Sequence, residues 1–169
     1  LLRASLPSTI QINLSIKATK DIILGSPAEL QQILMNLATN ASFAMREKGG
    51  ILGINIANVD FEPDSPVLDE DIEPGRYIRL VITDTGTGMA PEVKKRVFEP
   101  FFTTKEVGEG TGMGLAVVYG IVKGLRGAIT VESKPGTGSA FSVFLPVARA
   151  DEKPEDSEVQ TAPRGSEHI

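Results

Sequence analysis

Apolar and polar residues alternate from Ile10 to Ile16 (IQINLSI), the two-residue period of a strand with one buried face. The period then changes. Ser26-Pro27-Ala28-Glu29 combines a serine cap, a proline at the first helical position and a glutamate three residues after the serine, which marks a helix start. Ile33, Leu34, Leu37, Ala41 and Ala44 follow at helical spacing, so the pattern predicts a helix to about Lys48. Gly49-Gly50 stops it, with Arg46 and Lys48 near its negative dipole end. Residues 51–61 and 77–83 read as paired strands, and the acidic, proline-containing stretch 62–75 between them as an exposed loop. Residues 91–98 form a short amphipathic helix. Residues 113–125 form a second long one, with an apolar face of Leu115, Val118, Ile121, Val122 and Leu125 and Gly127 as its stop. Residues 128–132 and 139–145 alternate again, joined by a turn at 133–138. Residues 1–9 read as irregular. From Ala148 the chain turns to Asp, Glu, Pro, Ser and Gln without aromatic residues, the composition of a disordered linker.

Composition narrows the function. The length of 169 residues suits one domain with a sizeable core plus some tail. Hydrophobic content of 41% and a mean hydropathy near zero are those of an ordinary globular protein. A net charge of −5 gives no basic surface for nucleic acid. The chain has no cysteine and a single histidine, His168, which excludes disulfides, thiolate chemistry and a histidine metal cluster. No apolar run approaches the length of a membrane span, and no signal peptide is visible, so we expect a cytoplasmic domain without membrane contact. The first residue is Leu1 rather than Met, and we expect a fragment of a longer protein.

Residues 84–115 (DTGTGMAPEVKKRVFEPFFTTKEVGEGTGMGL) carry two glycine clusters. One follows a strand; the other opens a helix. Glycines concentrate where the backbone takes positive φ or where something approaches it closely. A glycine-rich turn leading into a helix presents free N–H groups and a positive dipole end to an anion. Neither GxxxxGK[ST] nor GxGxxG is present, so a phosphate bound here uses another architecture.

Three further features suggest chemistry. Gln32, Asn36 and Asn40 recur every four residues and share one helix face. That stripe reads either as a solvated face or as a row of amides turned to a ligand or hydrated cation, for which amide oxygens suit Mg²⁺. Phe98, Phe101 and Phe102 read either as a small satellite core or as the latch of a lid over residues 92–110, hinged at its glycine-rich ends. Lys105 on that segment is either a surface lysine or a phosphate ligand. His168 stands in the polar tail and reads as incidental.

Four segments in order, QQILMNLATNA (31–41), DTGTGM (84–89), FEPFFTTK (98–105) and GTGMGLA (110–116), closely resemble the N, G1, F and G2 boxes of the ATP-binding domain of bacterial sensor histidine kinases. That domain shares a superfamily with gyrase, the heat-shock chaperone ATPases and mismatch-repair ATPases. The resemblance covers residues 1–147 and implies a two-layer α/β (α+β) sandwich, a mixed sheet packed on helices, with which the element order agrees. It implies ATP as nucleotide and Mg²⁺ as metal. Asp84 would accept from the adenine amino group, an acceptor-only carboxylate being suited to adenine over guanine. Gly86 and Gly88 would lie against the base. Asn40 would hold Mg²⁺, with Asn36 and Gln32 on the catalytic face beside it. The N–H groups around Gly110, Gly112 and Gly114 would face the phosphates. Met89, Phe101, Lys105, Thr111, Met113 and Leu115 would complete the nucleotide site, Met113 standing where these kinases usually have leucine.

One position separates the subfamilies. Hydrolytic members carry a glutamate one turn before the metal-binding asparagine, as general base; here that position is Asn36, which favours transfer over hydrolysis. The segment 117–146 and the closing RGSEHI resemble hybrid kinases, with residues 148–169 leading towards a receiver domain. The implied partners are a phosphoacceptor histidine domain of the same, dimeric protein and a response-regulator receiver domain. A hydrolytic ATPase of the superfamily and a non-catalytic nucleotide-binding module are the alternatives.

Overall fold

A computed structural model describes residues 1–19, 22–65 and 72–149. The linker expected at residues 148–169 lies almost wholly outside them, as do His168 and the middle of the acidic loop.

Among the described residues nine elements run in the order α1 (Leu2–Ser5), β1 (Ile10–Ile16), α2 (Pro27–Ala44), β2 (Gly50–Phe61), β3 (Gly75–Asp84), α3 (Pro91–Arg96), α4 (Gly114–Gly124), β4 (Ala128–Lys134) and β5 (Gly138–Pro146). The strands make one mixed sheet in the order β1-β2-β3-β5-β4. The pair β1–β2 is parallel, bridged by α2; the other neighbours are antiparallel. The fold is thus the expected α/β sandwich, with α2 and α4 layered on one face.

Local sequence explains most boundaries. Ser26 caps α2: its hydroxyl accepts from the Glu29 amide at 3.2 Å, and the Glu29 carboxylate accepts from the Ser26 amide at 2.9 Å. The helix stops at Ala44 rather than near Lys48. Met45 closes it by bonding back to Ala41, and Gly49 turns the chain with φ of 69°. Arg46 therefore sits past the helix end. Residues 2–5, expected to be irregular, form one helical turn whose Arg3 guanidinium donates to the Leu6, Pro7 and Ile10 carbonyls. At the end of α4 the left-handed residue is Arg126, φ 57°, not Gly127. Gly127 is needed for space: its amide bonds to the Val122 carbonyl, and a Cβ there would run into the Phe144 carbonyl.

The core fills the space between sheet and helices. Leu37 of α2, Val118 and Val122 of α4, Leu52 of β2, Ile82 of β3 and Val143 of β5 are fully buried within it. The other sheet face carries a smaller cluster of Phe61, Ile72, Tyr77, Ala128 and Phe144. Phe61 meets the Tyr77 and Phe144 rings edge-on at 5.4 and 5.5 Å. Among the described residues no helix is long and apolar enough to cross a membrane.

Leu37 joins α2 to the sheet at 1% exposure. Leu37→Ala should lower unfolding free energy by about 2–5 kcal/mol, the range for deleting a buried leucine side chain. Urea denaturation measures this; a loss well under that range would show that α2 and the sheet can close over the gap.

Candidate functional site

A cavity of about 380 Å³ opens between the C-terminal half of α2, the loop after β3, the segment 97–112 and the start of α4. Asn36, Asn40, Asp84, Gly88, Met89, Lys105, Gly110, Thr111, Gly112, Gly114 and Leu115 all line it. The remaining expected residues do not. Gln32 is exposed on α2 outside the cavity wall, and Gly86, Phe101 and Met113 stand next to lining residues without reaching the space.

Asp84 ends β3 and is buried, at 8% exposure. Its Oδ1 accepts from the Gly86 amide at 2.9 Å, an Asx turn that launches the glycine loop. Burial pushes its carboxyl pKa up, and the Gly86 and Ser139 amides pull it partly back.

The loop itself is pinned from two sides. The Thr87 amide donates to the Ala44 carbonyl of α2 at 3.1 Å, and the Thr87 carbonyl accepts from Gly136 in the β4–β5 turn at 2.7 Å. The Met89 amide donates to Ser133 Oγ at 2.8 Å. Gly88 has φ of 65°, and a Cβ there would collide with the Lys134 carbonyl.

Another part of the cavity lining is cationic. Lys105 Nζ donates to Asn40 Oδ1 at 3.3 Å and lies 4.3 Å from the centre of the Phe43 ring. Burial lowers the pKa of this ammonium, against a smaller upward pull from Glu109. Arg46 Nη1 pairs with Glu109 Oε2 at 2.8 Å, and its Cζ lies 4.2 Å from the same Phe43 ring. At the N-terminus of α4 no side chain caps the helix, and Thr111 Oγ1 accepts the Met113 amide at 3.3 Å. The first amides of α4 and its positive dipole end therefore remain for an anion in the cavity.

Among the described residues no three His, Cys, Asp or Glu side chains cluster as metal ligands. The donors in the cationic part are the Asn40 and Asn36 amides. Such a set fits Mg²⁺, which keeps several waters and is held largely through substrate phosphates; it does not fit a metal caged by protein alone.

Phe43, Ser139, Arg46 and Glu109 were not anticipated. Phe43 follows Asn40 by three residues and Asn36 by seven, so the helical period that aligned the two asparagines also reaches it. Ser139 carried no local signal; it comes to the cavity because the sheet register sets it opposite Asp84.

The family described as "Histidine kinase-, DNA gyrase B-, and HSP90-like ATPase" matches residues 25–149. Sensor kinase CckA of Brucella abortus is 37% identical over 150 residues, which is 88% of this chain and 16% of that protein. Sensor histidine kinase ZraS of Escherichia coli is 36% identical over 138 residues, 82% of this chain and 26% of its own length. Among solved structures, a mycobacterial sensor histidine kinase, MprB, superposes with a TM-score of 0.62 at 28% identity over 83% of both chains. Full-length ShkA in complex with AMPPNP superposes with a TM-score of 0.60 at 30% identity, covering 83% of this chain and 26% of that one. The chain thus spans about a sixth to a quarter of the length of the curated sensor kinases it matches. By sequence and fold together, it belongs to the family of histidine kinase-, DNA gyrase B- and HSP90-like ATPases, among the sensor-kinase relatives.

Proposed function

We propose that residues 1–147 are the catalytic ATP-binding domain of a hybrid sensor histidine kinase acting in the cytoplasm, with residues 148–169 as a linker towards a receiver domain. The domain donates the γ-phosphoryl of Mg-ATP to a histidine on the dimerisation and phosphoacceptor domain of the same protein. A response-regulator receiver takes it from there.

The observation that carries this reading is the polarity of one cavity. It is lined by a buried acceptor, Asp84, on the loop after β3, and by a separate group of a half-buried ammonium, two amides and an uncapped helix N-terminus on α2, the segment 97–112 and α4. Adenine donates from its amino group to the first; polyphosphate suits the second. Bound through Asn40, Mg²⁺ would neutralise phosphate charge there. The carboxylates on the cavity wall are Asp84 and Glu109. Asp84 belongs to the base site, and Glu109 is tied to Arg46. With an amide at Asn36, no described carboxylate of the wall stands one turn before Asn40 on α2, where a water-activating base would be needed, and this supports transfer over the hydrolytic alternative.

Asp84→Asn replaces an acceptor-only group by one that also donates. Calorimetry should show ATP binding weakened by about 1.5–3 kcal/mol, or roughly ten- to over a hundredfold. Unchanged affinity in a folded variant would remove Asp84 from the base site. The same substitution has a pH signature. Burial raises the Asp84 pKa, so the folded protein keeps a proton that the unfolded chain has already lost. The stability contributed by this proton falls as pH rises from the ordinary aspartate value through the raised one, and stays low above it. The melting temperature of Asp84→Asn relative to the parent should therefore climb across that window, and a flat difference would contradict it.

Phosphoryl transfer needs a positioned acceptor. With γ-labelled ATP the chain alone should stay unlabelled, His168 being its only imidazole, and the nucleotide should stay largely intact. A histidine-bearing helical domain added in trans should take acid-labile label. Label on this chain alone would contradict the kinase reading, and brisk phosphate release would favour the hydrolytic one. ATP binding with no label passed to the added domain would favour the non-catalytic nucleotide-binding module.

A further inference from the structure

Phe43 has an arrangement that core packing does not require. It is half-buried, lines the cavity three residues after Asn40, and has a cation close to its ring from each of two elements. Lys105 Nζ from the segment 97–112 lies 4.3 Å from the ring centre, and Arg46 Cζ, from just past the end of α2, lies 4.2 Å away. Both distances fall within the range of cation–π attraction. The two cations differ in their other partners. Arg46 has a carboxylate, Glu109, at 2.8 Å, in a pair whose side chains are 47% and 41% exposed and which contributes little in water. Lys105 makes no direct ion pair among the described residues: Glu109, held by Arg46, acts on it only through space, and its contacts are the neutral Asn40 oxygen, at 3.3 Å, and the ring.

That difference has a chemical consequence. A carboxylate beside Lys105 would fix its position and cancel its charge. An aromatic face attracts the ammonium through its quadrupole, accepts no proton and carries no charge of its own. The lysine is thereby placed while its charge stays available to an incoming anion. The location is the part of the cavity lining where Asn40 and the start of α4 also stand. We propose that Phe43 is a positioning residue that holds Lys105 in the cationic part of the cavity lining, so that the ammonium is already in place when a nucleotide's phosphates arrive. The inference rests on the nucleotide reading above and adds a residue to it: Phe43 acts on the polyphosphate through Lys105, and contributes nothing to the base.

The test compares ATP, with excess Mg²⁺, against adenosine, which has the base and no phosphate, by calorimetry on the 169-residue chain. Phe43→Leu keeps apolar bulk and removes the ring. It should weaken ATP about three- to thirtyfold, the span of a partly desolvated cation–π contact, and leave adenosine within about twofold. Phe43→Tyr retains the aromatic face and should bind ATP like the parent. In a Lys105→Met background, Phe43→Leu should cause no further loss, because the residue it positions is gone. Equal weakening of ATP and adenosine would overturn the proposal, since the ring would then serve the base or the fold. Additive losses from the Phe43 and Lys105 variants would overturn it too. A parent chain that binds neither ligand would instead sink the nucleotide reading, and this inference with it; a parent that binds both, with uncoupled variants, would sink this inference alone.

Discussion

The site depends on a backbone packed against backbone. The loop at residues 84–89 lies between the end of α2 and the β4–β5 turn, and three glycines make the fit possible. A Cβ on Gly86 would stand 2.6 Å from the Ala44 carbonyl oxygen; one on Gly88 would run into the Lys134 carbonyl, and one on Gly138 into that of Asp84. Real Cβ atoms do not come so close, so any side chain here would push a helix end or a hairpin away from the loop. The amides of Thr87, Met89 and Gly136 close the gap with hydrogen bonds instead. Asp84 can therefore be both buried and held by its turn to Gly86, and its raised pKa is the electrostatic consequence of that enclosure.

The part of the cavity wall formed by the segment 97–112 is built from side chains. Along residues 98–102 the three phenylalanines separate into different environments. Phe98 joins the core and meets the Phe141 ring at 6.3 Å; Phe102 lines the cavity under Arg96; Phe101 is 77% exposed with φ of 65°. The satellite-core reading therefore holds for Phe98. The positive φ of Phe101 is unusual for an aromatic residue. It is held by the bond from its amide to the Gly112 carbonyl and by the lack of a Cβ on Gly112, which would stand 2.5 Å from the Phe101 backbone. The segment is anchored in the core at one end, at the start of α4 at the other, and on α2 through Lys105, Glu109 and Phe43.

What the sequence determined by itself is local and periodic. The cap at Ser26, the glycine stop after α2, the strand alternations and the shared face of Asn36 and Asn40 depend on residues within one or two turns of each other. Their physics is complete in a short window. The glycine clusters likewise announced close approach, without saying to what.

Which of these residues meet was decided by the tertiary structure. Gln32 shares a helix face with Asn36 and Asn40, yet it lies outside the cavity, because only the C-terminal half of α2 passes over it. Ser139 reaches the site through its register opposite Asp84, 55 residues away in sequence. Arg46 reads as a partner for the helix dipole and instead bridges to Glu109, since the helix ends two residues before it. Phe43 lies on the predicted face, but its meaning comes from a lysine 62 positions later. Burial, charge pairing and ring contacts are properties of pairs brought together by the sheet order and by the path of the segment across α2. A one-dimensional pattern records the faces that each element presents; the elements that come to face each other are chosen by the packing of the whole domain.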